Sequence, residues 1–291
     1  MSRFAWPCLV CLPLITIAAC GGHQLPLKYP ETPRGATVDV YHGTSVADPY
    51  RALEDLDAPE TAAWVEAQNA LSVPFLEALP RRSELIERFT RLWSWERYSP
   101  PEKHGSRYFF RYDDGKRDHA VLMVADDLAE KARVLLDPNG FSKDRTSSLS
   151  RYKVSPDGAL IAYAISEGGS DWRHWRVRDV ATGQDRMDRI EHTKFTDVSW
   201  TPDGSAFYYS RYPTGSDGKA DDRQQVTLYR HVLGESQAED TEIYRVKAHP
   251  TRNAYGRVTS DGQTLIVTIT DGYLANDIYT MSLTSTCGTV R

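Results

Sequence analysis

The spacing of apolar positions changes once along the chain, near residue 99. Before that point it is helical. Trp64, Gln68, Leu71 and Phe75 fall on one face of a helix, with Asp57 as its cap, Pro59 in its first turn and Pro74 bending or ending it. A second helix is expected over 83–95, where Leu85, Phe89 and Leu92, flanked by Ile86 and Trp93, form a stripe that reads as core. Residues 35–56 have no helical period and many turn formers, which predicts an extended segment lying on a larger body. After residue 99 the period becomes that of strands. "RYFFRYDDGKRDHAVLMVAD" (107–126) reads as a hairpin turning at Asp114-Gly115, and "ALIAYAISEGGSDWRHWRVRD" (159–179) as one reversing at Gly168-Gly169. The turns "VSPDG" (154–158), "WTPDG" (200–204) and "VTSDG" (258–262) each precede an apolar run, and their aspartates are 46 and 58 residues apart. Repeats of about 40–50 residues made of short strands predict a mainly β protein, a partial β-propeller of about four blades.

Composition adds bounds. With 291 residues, 40% hydrophobic and 26% charged, the chain can bury a core, and its net charge of -5 gives no basic field for nucleic acid. Residues 1–19 read as a secretory signal, being charged at the start, apolar from Phe4 to Ala19 and closed by small residues. The apolar run is short for a membrane span and holds Pro7 and Pro13. Ile17-Ala18-Ala19-Cys20 resembles the bacterial lipobox, which implies lipidation at Cys20, a tether over 20–34 and a cell-envelope location facing the periplasm or the exterior. Cys8 and Cys11 would leave with the signal, and Cys287 reads as a small apolar filler, so no internal disulfide is expected. No Cys/His set has metal spacing, and no cofactor is expected.

"DPYRALED" (48–55), "WVEAQN" (64–69), the long block 154–183, "KFTDVSWTPDGSAFYYSRYP" (194–213) and "LYRHVLGESQAED" (228–240) resemble the N-terminal half of prolyl oligopeptidases, and the likeness runs from about residue 29 to 281. Ala52 stands where that family usually has tryptophan. The resemblance implies that segment 35–98 belongs with a C-terminal α/β-hydrolase domain, and that 99–291 is part of a seven-bladed propeller limiting access to short proline-containing peptides. It also implies that the serine, histidine and acid of the cleaving triad lie beyond Arg291, so the expectation is a truncated, non-catalytic part with no catalytic residue of its own. Phe195, in "KFTDVSW", matches a family position that reaches the outer substrate pocket, though a buried strand residue would also fit.

"GGSDW" (168–172) and "GTSVA" (43–47) look superficially like nucleophile motifs, but Ser170 and Ser45 are expected in a strand reversal and a surface segment, where no helix follows. The histidines are scattered. In "WRHWRVRD" (172–179), alternation sets Trp172, His174, Arg176 and Arg178 on one face that pairs with acids. The alternative function is a TolB-like propeller lipoprotein that binds a protein partner without catalysis.

Overall fold

The computed structural model describes residues 27–247, 249 and 251–284, so Cys20 and Cys287 lie outside the described residues. The chain divides into two compact units, one ending at Glu87 and one beginning at Arg88.

In the first unit, β1 (Val38–Tyr41) and β2 (Thr44–Ala47) pair antiparallel from Val38 opposite Ala47 to Tyr41 opposite Thr44. The segment expected to be merely extended therefore closes as a hairpin. His42 and Gly43 both take positive φ, 48° and 82°, which suits the twist of a two-residue turn. Arg51 fixes the segment that follows, pairing with Asp39 and donating from Nε to Asp48 at 2.6 Å. Helix α1 (Pro59–Glu77) begins at its proline as expected, but Ala58, not Asp57, occupies the N-cap and supplies no side-chain cap. Pro74 does not end the helix, which continues to Glu77. Its predicted face is real: Trp64, Gln68, Leu71 and Phe75 are all half-buried between exposed neighbours, and Trp64 Nε1 donates to Thr32 Oγ1 at 2.9 Å.

Helix α2 (Arg82–Trp93) corrects the reading of its stripe. Leu85, Ile86, Phe89, Leu92 and Trp93 are all exposed, Phe89 at 64%. Periodicity finds an apolar side; it does not say what covers it.

The second unit contains four antiparallel sheets. The first holds β3 (Arg97–Tyr98), β4 (Glu102–His104), β5 (Arg107–Asp113), β6 (Val121–Ala125) and β7 (Arg133–Leu136). The second holds β8 (Ser148–Val154), β9 (Leu160–Ser166), β10 (Trp172–Asp179) and β11 (Asp185–Lys194). In the third are β12 (Val198–Trp200), β13 (Ala206–Arg211), β14 (Thr227–Val232) and β15 (Thr241–Tyr244). The fourth has β16 (Asn253–Val258), β17 (Thr264–Asp271) and β18 (Ala275–Ser282). Within the second, third and fourth sheets spatial order follows sequence order, as in propeller blades, and the sheets do not close into a ring. In the first sheet β3 and β4 both pair with β5 because Pro100 and Pro101 break one edge strand; Ser99 Oγ bridges the break by accepting from Arg111 N–H at 2.9 Å. Asp114-Gly115 is not a tight turn, since Tyr112 pairs with Val121 and leaves 113–120 as a longer loop.

Each sheet sends alternate residues to two different neighbours. Ile161, Tyr163 and Ile165 join Phe109, Leu122 and Leu136 between the first and second sheets. Their neighbours Ala162 and Ala164, with Trp175 and Ile190, meet Trp200, Phe207 and Tyr209 of the third sheet. Tyr208 and Leu228 meet Leu265, Val267 and Ile269 of the fourth. Backbone-directed bonds cross the same seams: Arg178 Nη1 donates to Leu135 O at 2.9 Å, Trp200 Nε1 to Lys153 O at 3.0 Å and Val258 N to Ser199 Oγ at 2.9 Å.

The repeated turns are built alike. Ser155, Thr201 and Thr259 donate from the hydroxyl to the aspartate two residues on, at 2.6, 2.7 and 2.5 Å, and each hydroxyl accepts from the backbone N–H five residues on. Those hydroxyl bonds lower the pKa values of Asp157, Asp203 and Asp261, that of Asp203 to about 2. The turns also touch across seams. A Cβ on Gly158 would lie 2.4 Å from His104 O, and one on Gly262 2.3 Å from Pro202 Cγ, in the turn of the preceding sheet.

Inside the third sheet His231 is fully buried between two carboxylates, Nδ1 at 2.7 Å from Asp240 Oδ1 and Nε2 at 3.2 Å from Asp188 Oδ1. Burial opposes its charge, but the bonds and charges of Asp188 and Asp240 outweigh burial and push its pKa up to about 9. The hydrogen bond from His231 and that from Gly234 N–H hold Asp188 below the usual carboxylate range against burial. An imidazolium donating to both acids thus ties β14 to β11 and to the residue before β15.

Two outcomes follow from these contacts. Gly262→Ala should destabilise by about 2–4 kcal/mol, from left-handed strain plus overpacking on Pro202. Gly168→Ala, at φ 56° in open space, should lose only the strain, about 1–2 kcal/mol in urea denaturation. Because the folded pKa of His231 is raised above 6.5, its contribution, of the order of 3 kcal/mol, is complete below pH 6.5 and is lost as pH rises through about 9. Asp188 contributes in the opposite window, above its unfolded pKa, and loses that contribution as pH falls through its lowered value. Thermal melts from pH 6 to 10 should show the alkaline decline in the wild type and a much smaller one in His231→Gln.

Candidate functional site

Two cavities lie in the second unit. The first strands of the sheets line an open channel of about 760 Å³. Its charged lining is Glu102, Arg111, Arg151, Lys153, Asp197 and Arg257, more basic than the chain as a whole; Lys153 Nζ pairs with Asp197 Oδ2 at 3.1 Å.

The second cavity, of about 650 Å³, forms where β9 turns into β10, where β11 ends, and beneath the 212–222 connection. Trp172 and Tyr212 meet edge to face at 5.4 Å, and Lys194 Nζ lies 5.1 Å over the Trp172 ring and 5.7 Å over that of Phe195. Lys194 is held by Asp222 at 3.4 Å. These contacts place Phe195 beside the cavity, just past the end of β11, and its side chain is 61% exposed. It is therefore not a buried strand residue. Its backbone is left-handed, φ 56°, and His192 three residues earlier has φ 62°. A bulky residue gains nothing locally from that conformation, which costs about 1–2 kcal/mol. Neighbouring contacts impose it: Tyr212 N–H donates to His192 O at 3.0 Å, His192 Nδ1 lies 3.1 Å from Thr214 Oγ1, and Thr193 Oγ1 donates to Arg173 O at 2.6 Å.

The cavity gathers groups that look scattered along the sequence: Ser170, His174, His192 and Glu167 all line it. They do not form a triad. Ser170 Oγ accepts from Trp172 N–H at 3.1 Å, and among the described residues no hydrogen bond joins it to either histidine. Burial keeps the pKa values of His174 and His192 below that of a free imidazole, so both are neutral near pH 7. Ser170 lies in the strand reversal, and Ser45 lies in β2, opposite Val40, in the first unit. Neither opens a helix. Arg176 and Arg178 pair with Asp185, Arg178 Nε at 2.6 Å, as the alternation of "WRHWRVRD" suggests. Arg173 points to the other face and was invisible to that reading. The arrangement offers an aromatic and cationic platform for binding, with its groups already fixed, and no activated nucleophile.

A family model for the prolyl oligopeptidase N-terminal β-propeller domain matches residues 30–290. A prolyl endopeptidase from Elizabethkingia meningoseptica is 36% identical over 261 residues, covering 88% of this chain and 36% of the relative. A solved prolyl endopeptidase structure superposes with a TM-score of 0.81 at 35% identity, over 90% of this chain and 39% of that one. Prolyl oligopeptidase B from Galerina marginata, solved with a 35-residue hydrolysis and macrocyclization substrate, superposes with a TM-score of 0.77 at 26% identity, over 92% of this chain and 41% of that one. The chain thus spans well under half the length of each of these relatives.

The strain at Phe195 predicts an inverted order of stability. Phe195→Gly should be more stable than Phe195→Ala by about 0.5–1 kcal/mol, since glycine relieves the left-handed backbone and alanine does not. Urea denaturation of the two variants measures the difference.

Proposed function

Because the chain belongs to the prolyl oligopeptidase family, we propose that it is the peptide-gating propeller region of an exported serine-type endopeptidase of that family. In this reading it admits and orients short proline-containing peptides, and an α/β-hydrolase domain supplies the residues that cleave them. The observation that carries the reading is Phe195, a large apolar side chain held exposed in a strained conformation beside an aromatic-lined cavity. Strain maintained by surrounding contacts is typical of binding sites. The exposed stripe of α2 supports the second half of the reading, since a hydrolase domain would cover Phe89, Leu92 and Trp93. The Galerina relative, solved with a hydrolysis and macrocyclization substrate, supports peptides as the ligand class. A partner-binding TolB-like lipoprotein would share the propeller but leaves the family match through the helices without an explanation. Export and anchoring rest on the lipobox alone: Cys20 would carry the lipid, and Cys20→Ser would release the protein from membranes.

Two measurements test this function. A chromogenic proline peptide should show no turnover above blank with the chain alone, and turnover abolished by Ser170→Ala would overturn the assignment of a non-cleaving role. Calorimetric titration with a proline-containing peptide should show binding that weakens about 5- to 30-fold in Phe195→Ala, as expected when an aromatic anchor is truncated. Equal affinity in both proteins would remove Phe195 from the site.

A further inference from the structure

One cation beside the cavity has no partner for its charge. Arg173 shares its face of β10 with Trp175 and Val177, which are each 1% exposed in the seam with the third sheet. Its Nε and Nη1 are shielded from solvent, and neither has a hydrogen-bond partner among the described residues. Arginine does not escape such a site by losing its proton, so two desolvated donors are left unsatisfied at a net cost. The charged groups that face it are Arg151, Asp171 and Asp197. Arg151 repels it, Asp197 is engaged by Lys153 at 3.1 Å, and burial with the Arg151 charge holds its pKa below that of a free guanidinium. The acids that line the cavity do not neutralise it either: Glu191 pairs with Arg189 and Asp222 with Lys194. What remains is a fork of N–H donors on the wall of a cavity of about 650 Å³, beside the Trp172 platform.

We propose that Arg173 is a carboxylate-recognition residue, which makes this cavity select peptides carrying an acidic side chain or a free C-terminal carboxylate. The planar guanidinium offers two parallel N–H bonds to a carboxylate, the geometry in which such pairs are strongest. Low local exposure strengthens the pair further, and the binding carboxylate supplies the acceptors that the fold itself withholds. The inference rests on the reading of this face as a peptide site.

The test is calorimetry on the full chain at low salt with four capped peptides of one proline-containing sequence: a glutamine form with an amidated end, a glutamate form with an amidated end, the glutamine form with a free C-terminal carboxylate, and a lysine form with an amidated end. At least one carboxylate peptide should bind about tenfold or more tightly than the neutral one, and the lysine peptide more weakly than the neutral one. Which carboxylate peptide gains identifies the source of the ligand group. Arg173→Gln should bring all four to the affinity of the neutral peptide, and Arg173→Lys should keep part of the preference, with amide spectra confirming that both variants are folded. No carboxylate preference in the wild type, or a preference that survives Arg173→Gln, overturns the proposal while leaving the peptide site intact. If no peptide binds, the peptide-site reading fails, and the Arg173 Nε–H resonance decides the anion site separately. It should shift on titration with N-acetylglutamate amide and not with N-acetylglutamine amide, and an unmoved resonance overturns the assignment.

Discussion

A β-sheet has two faces and can bury neither by itself. Every sheet of the second unit meets that constraint by pressing alternate residues onto different neighbours, so that Tyr163 belongs to one seam and Ala162 and Ala164 to the next. Small side chains on one face of β9 make room for the indole of Trp175, while large ones on the other face fill the seam with Phe109 and Leu122. The repeated turns follow from the same arrangement, since they bring Gly158 against His104 and Gly262 against Pro202 where one sheet meets the next. Stability is then carried seam by seam, in the manner of repeat proteins.

The candidate site is a by-product of how the sheets are joined. A chain leaving the outer strand of one sheet must cross to the inner strand of the next, and the crossing from β11 to β12 is where His192 and Phe195 take left-handed backbone. Fixed sheets on either side hold that crossing, which is why a phenylalanine can be kept exposed there at a conformational cost. The cavity beside it takes its aromatic wall from Trp172 and Tyr212 and its unmet charge from Arg173. Binding groups are abundant and an activated nucleophile is absent among the described residues, which is the division of labour expected of a gate.

Local chemistry was legible in the sequence, and long-range register was not. The Ser/Thr-x-Asp-Gly turns, the face of α1 and the number of sheets follow from spacing, because each is set within a few residues. The hairpin at His42-Gly43 was missed although two turn formers stand there, and Asp114-Gly115 was taken as a tight turn although pairing of Tyr112 with Val121 lengthens the loop. The stripe of α2 was taken as core because its period is correct, yet exposure depends on what lies opposite. Arg173 and the Asp188–His231–Asp240 cluster were out of reach for the same reason: their burial is decided by a neighbouring strand, and Asp188 is 43 residues from His231. A weak signal existed in β14, where His231 shares a face with Tyr229, one of the residues packed in the seam with the second sheet.

The claim that stability is carried seam by seam is tested most directly by native-state hydrogen exchange on Trp175→Ala. The indole is 1% exposed and sits in the seam between the second and third sheets, so its loss should cost about 3–5 kcal/mol. The account predicts that protection falls most in β9, β10, β13 and β14, the strands on either side of that seam, and less in β5, β6 and β17. A fall of equal size in all four sheets, or one confined to β10, would contradict it.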